Sequence, residues 1–330
     1  MKSYTCRVCG NVLYFENSIC VSCRTGLGYS RAERDIVPVD LAGKYVDSEG
    51  WIWYVCRNLS LSGCTWLAPL EGGQCFSCDL TRIRPRDADA LGLANFLPAE
   101  RAKRHLIVEL DALGFPLVGK SQDLLNGLAF DLLSSSQQKV LIAHNDGVIT
   151  IDLAESDNSH RERVRSQLDE PYRTMLGHFR HEVGHYYQWQ LVERGGDPDV
   201  LARCRALFGD ETADYQTSVD AHYAQGPPPD WARNYISSYA TMHPYEDFAE
   251  TWAHYLHICD TIETAVAYGL IPPAELVGHA RFRDMVTRVW IPLATALNLV
   301  NRSMGKDDLY PFVIAPPVLD KLDFVASLRP

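Results

Sequence analysis

No stretch of this chain approaches the roughly 18 uninterrupted apolar residues of a membrane-spanning helix. The first residues, MKSYTCRVCG, run straight into polar side chains and cysteines, without the apolar core of a secretion signal. A surplus of positive charge is also missing: 31 Lys and Arg face 42 Asp and Glu, a formal charge of -11. Binding to a phosphate backbone depends on Lys and Arg releasing counterions, so this balance argues against nucleic acid as a partner. The first 90 residues carry ten basic and ten acidic side chains, so the excess acid lies downstream and even the amino-terminal end is not a basic module. With 46% hydrophobic and 22% charged residues, the composition is that of a soluble globular protein with one substantial core and an appendage. The expected compartment is the cytosol, with no membrane partner.

Cysteine is nearly absent after residue 78, where only Cys204 and Cys259 remain; both lie in helical surroundings and read as small core residues. The other eight are concentrated in the head of the chain. In a reducing compartment, cysteines in CxxC pairs point to metal rather than to disulfides. Cys6, Cys9, Cys20 and Cys23 form C-x2-C-x10-C-x2-C, two tight knuckles that together offer four thiolates in a tetrahedron. The β-prone NVLYF between the pairs suits a hairpin connecting them. Cys56, Cys64, Cys75 and Cys78 form a looser set in which only the last two make CxxC. Here GWIWYVC and CTWLAPL read as strands that would bring the cysteines together. Each set predicts a closed structural zinc site that supplies folding free energy to a module too small to fold alone.

TRIRPRDADALG, residues 81–92, mixes Pro, Gly and charge with little apolar periodicity and marks a linker. The expected division is a tandem zinc-ribbon region over 1–84, a linker over 85–97 and a body over 98–330. Within the body, PAERAKRHLIVELDALG predicts a helix over 98–114. LAFDLLS, KVLIAH and GVITIDL read as strands, the last two joined by NDG as a tight hairpin. After about residue 157 nearly everything reads as helix. The fold class is therefore α+β, two small ribbons followed by a mostly helical domain with a small β-sheet.

RHEVGHYYQW, residues 180–189, contains His181 and His185 four apart, so both project from one helix face and can hold a single ion. Glu182, beside the first histidine, reaches a water on that ion. Chance would produce H-E-x-x-H about 0.02 times in a chain of this composition. The surrounding PYRTMLGHFRHEVGHYYQWQLVERGG opens with Pro171 at a plausible first helical position and stops at a glycine pair. Gly184 costs helix stability unless a neighbouring backbone or the ion must come close. A catalytic zinc needs a third protein ligand with the fourth position left to water. PYEDFAETWAHY, residues 244–255, is the best supplier, because Glu246 and Glu250 share a helix face and one can bind the ion while the other hydrogen-bonds a ligating imidazole. Glu211, Asp214 and His254 are competing ligands, and His178 and His243 lie near the motifs in packing or tuning roles.

HEVGH followed after 60 residues by EDFAE resembles the glutamate zincins. The two ribbons, RHEVGHYY and HPYEDFAETWAHYLHI together resemble the putative zinc-binding metallopeptidase family with an amino-terminal zinc ribbon, a likeness covering most of the chain. That resemblance implies a zincin-like fold and a catalytic zinc held by His181, His185 and Glu246, in addition to the two structural ions. It also implies Glu182 as general base and Glu250 in support. The long interval departs from thermolysin and is similar to that of certain cytosolic and toxin zincins, where a Tyr seven residues before the ligand Glu faces the metal; Tyr239 occupies that position. The implied activity is zinc-dependent hydrolysis of peptide bonds, with the ribbons recruiting or orienting a protein substrate. A reading of another class makes the ribbons primary, in an interaction or regulatory protein whose body binds a peptide without cutting it; an intact Glu182 favours the enzyme.

Overall fold

The computed structural model describes residues 3–136, 139–157 and 173–330. The chain forms two compact units, Met1–Arg161 with Glu263–Tyr268, and Glu162–Ile262 with Gly269–Pro330.

The first unit begins with the two cysteine modules. Strands β1 (Tyr4–Thr5) and β2 (Val12–Leu13) form the hairpin of the first, and β3 (Gly26–Ser30) pairs antiparallel with β4 (Asp35–Val39). The second is built on β5 (Lys44–Val46), β6 (Ile52–Val55) and β7 (Leu67–Ala68), with Tyr54 opposite Ala68, the antiparallel pairing expected of GWIWYVC and CTWLAPL. The modules are joined by the Tyr29 N–H donating to the Thr65 carbonyl at 2.9 Å and by Tyr29 packing on Trp66 with ring centroids 4.8 Å apart.

A four-stranded sheet follows, in the order β10-β11-β9-β8, from β8 (Thr81–Ile83), β9 (Ala129–Leu133), β10 (Ala143–Asn145) and β11 (Val148–Asp152). β8 and β11 both run parallel to β9, whereas β10 and β11 form the expected hairpin. Asp146 and Gly147 turn it with φ of 47° and 80°, the positive pair that a tight primed turn requires. β10 is shorter than expected, starting at Ala143 rather than Lys139. Helix α1 (Ala90–Leu113) connects β8 to β9 and buries Phe96, Leu106, Ile107 and Leu110. It starts at Ala90, not at residue 98, so residues 90–97 of the expected linker are helical. Asp89 is the reason: its carboxylate accepts from the Gly92 N–H and caps the helix, leaving Pro98 in the interior rather than at the first position. At the other end Gly114, with φ of 82°, closes it as expected.

Charged residues on α1 anchor both cysteine modules. Arg31, from the first, makes a two-pronged ion pair with Asp111, at 2.7 Å for each contact. Arg104, fully buried, reaches Glu16 of the first module and donates to the Ser62 carbonyl of the second at 3.1 Å.

Among its described residues the second unit is helical. It comprises α2 (Met175–Tyr187), α3 (Pro198–Phe208), α4 (Tyr215–Gln225), α5 (Pro244–Ala267, whose last turn belongs to the first unit), α6 (Ile291–Ser303) and α7 (Pro316–Ser327), with shorter turns between. The fold is thus α+β, ribbon modules first and a mostly helical body after. Among the described residues no helix is long and apolar enough to cross a membrane.

Candidate active site

Helix α2 carries the HEVGH sequence. Pro171 lies outside the described residues; the cap is Thr174, whose hydroxyl accepts from the Gly177 N–H at 2.9 Å. After Tyr187 the helix widens into a π-helical stretch over Gln188–Glu193 and stops before the Gly195–Gly196 pair, with Gly196 at φ 76°. Helix α5 packs against it unusually closely at Gly184. A Cβ there would lie 3.0 Å from Ala249 Cα and 3.1 Å from Trp252 Cβ, so of the two explanations for this glycine, a neighbouring backbone is the one observed. One turn along, Tyr187 stacks on Trp252 at 4.8 Å with an 18° interplanar angle.

This approach brings the two acidic positions of α5 onto the two imidazoles. Glu246 Oε2 lies 3.0 Å from His181 Nε2 and 3.6 Å from His185 Nε2. Glu250 Oε1 takes the other nitrogen of His181, Nδ1, at 2.8 Å. Ligand atoms of His181, His185 and Glu246 all fall within 4.8 Å of one another. Burial works against ionisation of Glu246, yet the charge of His185 and the contact with His181 hold its carboxyl well below the usual range. Glu182, on the same stretch of α2, is buried and its Oε2 has no hydrogen-bond partner among the described residues; burial pushes its pKa up. Tyr239 sits in a short turn before α5 with its ring centroid 5.8 Å from that of His181. Burial and then the nearby Glu246 charge raise its hydroxyl well above the ordinary value, keeping it a hydrogen-bond donor.

Two polar contacts at this site have no counterpart in the sequence motifs. Tyr215 donates its hydroxyl to the second oxygen of Glu246, Oε1, at 2.9 Å. Ser237 donates to Glu250 Oε2 at 2.7 Å and accepts from the Ala240 N–H at 3.1 Å. Tyr215 does lie in the GDETADY stretch, but that stretch attracts notice for its carboxylates. Those carboxylates are committed elsewhere: Glu211 is paired with Arg205 at 2.9 Å, and Asp214 caps α4 through the Thr217 N–H at 2.7 Å. His254 Nδ1 contacts the Tyr310 hydroxyl at 2.9 Å, and His243 Nε2 donates to the Ala213 carbonyl at 3.1 Å. None of these four joins the cluster. Cys204 is buried, as a small core residue would be, and Cys259 is half-buried.

The eight remaining cysteines form two groups of four. In the first, Cys6–Cys23 and Cys9–Cys20 Sγ atoms are 3.7 and 3.6 Å apart. In the second, Cys56–Cys78 and Cys64–Cys75 are 3.7 and 3.5 Å apart. A disulfide would need about 2.05 Å. A tetrahedron of thiolates at about 2.3 Å from a zinc has edges of about 3.8 Å, close to what is observed. The second group is buried throughout, whereas Cys9 in the first is exposed.

The profile of the family described as putative zinc-binding metallo-peptidase matches residues 92–328. The chain belongs to this metallo-peptidase family. A zinc-ribbon domain profile matches residues 3–89, the cysteine-rich head, so the two four-cysteine groups are those of zinc ribbons. Relatives of this family member include an uncharacterized protein of Mycobacterium bovis and another of Mycobacterium tuberculosis. Each is 48% identical over 335 residues, covering 99% of this chain and 95% of the relative. No solved structure matches the chain.

A zinc ion fits the geometry of the body cluster. Glu182, Glu246 and Glu250 place three buried or half-buried carboxyl groups beside two imidazoles, a surplus of acid that a bound cation would offset. With an ion bound, the Nδ1 contact of His181 with Glu250 would hold the ring in the tautomer whose Nε2 lone pair is free for the metal. Two nitrogens and one oxygen also match the three-ligand set that leaves a zinc position open.

Proposed function

We propose that this protein is a cytosolic zinc peptidase of the glutamate-zincin type, cutting a protein or peptide substrate. One observation carries the reading: the Nε2 atoms of His181 and His185 converge on one oxygen of Glu246 beside Glu182, whose Oε2 has no hydrogen-bond partner among the described residues. His181, His185 and Glu246 would hold one catalytic zinc, and the two ribbon groups one structural zinc each. The chemistry zinc supplies at such a site is polarisation of a peptide carbonyl and acidification of a water.

The chain's own groups account for the proton movements and the orientation. Glu182 Oε2 accepts the proton as the water oxygen bonds to the scissile carbon, then delivers it to the amide nitrogen as the C–N bond breaks. Tyr239 donates a hydrogen bond to the oxygen that becomes negative in between. Ser237 and Glu250 hold the His181 ring in register, and Tyr215 restrains Glu246 so that only Oε2 faces the histidines. The ribbons recruit or orient the substrate.

Comparison of protein termini in cells carrying wild-type protein and Glu182→Gln tests this reading. New amino termini present only with the wild type are expected. Identical termini in the two strains would leave a peptide-binding protein without peptidase action.

A further inference from the structure

Lys321 is a charged residue in an apolar place. It lies on α7, only 4% exposed, with its ammonium 4.4 Å from the Tyr235 ring centroid and 5.6 Å from that of Phe208. Taking an ammonium out of water is costly, and a hydrophobic residue of similar volume is often at least as stabilising in such a position. The cation at this site makes two polar contacts, each to a segment that supplies residues of the metal cluster or its surroundings. Its Nζ donates to Asp247 Oδ2 at 2.5 Å and to the Asn234 carbonyl at 2.8 Å.

Both partners adjoin residues of the proposed zinc site. Asp247 follows Glu246 directly in the first turn of α5, is 1% exposed, and among the described residues has no hydrogen-bond partner for its other oxygen. Lys321 therefore provides the direct compensation for this buried carboxylate. Asn234 opens the segment leading through Ser237, which holds Glu250, to Tyr239, whose ring faces His181. One ammonium thus fastens the helix turn that presents Glu246 and the segment that supplies Ser237 and Tyr239.

We infer that Lys321 is a positioning residue for the body metal site: it touches neither ion nor substrate and sets the separation between Glu246 and the Ser237–Tyr239 segment. The inference rests on the zinc-peptidase reading for the identity of the ion. By reciprocity, an element that stabilises the metal site must itself be stabilised by the metal.

Two measurements test it. In wild-type protein, a chelator that strips the body zinc while sparing the ribbons should accelerate hydrogen exchange in residues 234–241 and 316–327. In a Lys321→Met/Asp247→Leu variant, which removes both buried charges together, the fold should survive. Body-zinc affinity, read by chelator competition, should fall about 10- to 100-fold, as when other groups that orient ligands are lost. Ribbon zinc should be unchanged. Exchange in α7 that ignores the body metal, or a folded double variant with wild-type zinc affinity, overturns the inference. A wild-type protein with no body zinc would instead count against the zinc-peptidase reading itself.

Discussion

Tyr215 points its hydroxyl at Glu246 Oε1, 2.9 Å away, so the carboxylate that faces two histidines with one oxygen is restrained through the other. Tyr215 is itself 43% exposed, which weakens the contact through solvent screening. Tyr215→Phe should therefore loosen body zinc by about 1 kcal/mol, roughly a 3- to 10-fold rise in dissociation constant. Chelator competition measures this, and an unchanged constant would show that Glu246 is oriented by its helix alone.

Gly184→Ala sets two effects against each other. Helix propensity alone favours alanine by about 1 kcal/mol. The added methyl, however, would stand 3.0 Å from Ala249 Cα, a backbone atom with little freedom to give way. Overpacking of this kind costs about 1–3 kcal/mol. The variant should have a lower unfolding midpoint in denaturant and a weaker body metal site. A rise in the midpoint would mean that α2 and α5 are not held so tightly together.

Metal analysis of purified protein should give about three zinc ions per chain, two in ribbons and one in the body. Because two histidines and one carboxylate leave an open position, the body ion should be the first lost to a chelator, with the ribbons still folded. His181→Ala should retain about two. A single zinc in wild-type protein, or no loss in that variant, contradicts the assignment.

Glu246 and Glu250 are one turn apart but should fail differently. Glu246→Ala removes the oxygen shared by both imidazoles, so body zinc and activity should vanish together. Glu250→Ala leaves those three donors in place while freeing the His181 ring, a change that typically costs about 10- to 100-fold in metal affinity or activity. Added zinc should partly restore the second variant and not the first. The reverse pattern would exchange their roles.

What could be read from the chain and what could not divides along sequence distance. HEVGH fixes the spacing of His181 and His185 through helix geometry, and CxxC pairs define knuckles locally, so both were legible. Glu246 and Glu250 were legible as a shared face, and the structure brings both to His181. The start of α1 was not legible, because proline suits a first turn yet Pro98 lies inside the helix, and only the Asp89 cap shows where that turn lies. Tyr215, Ser237 and Lys321 were out of reach: each acts through contacts to residues distant in the chain, which leave no periodicity in its own segment. The parallel pairing of β8 with β9 was hidden in the same way, since a crossover helix separates two strands that local pattern cannot match.

The ion pairs on α1 bear on how this protein can be cut. The family profiles divide the chain between residues 89 and 92, and a truncation there looks natural for producing the peptidase portion alone. Such a cut would strip Arg104 of both Glu16 and the Ser62 carbonyl and leave Asp111 without Arg31. A guanidinium now wholly buried would be exposed on a helix whose apolar face had lost part of its cover. The boundary drawn by homology is therefore not a seam in the folded protein, and a fragment beginning at residue 90 should aggregate more readily than the intact chain.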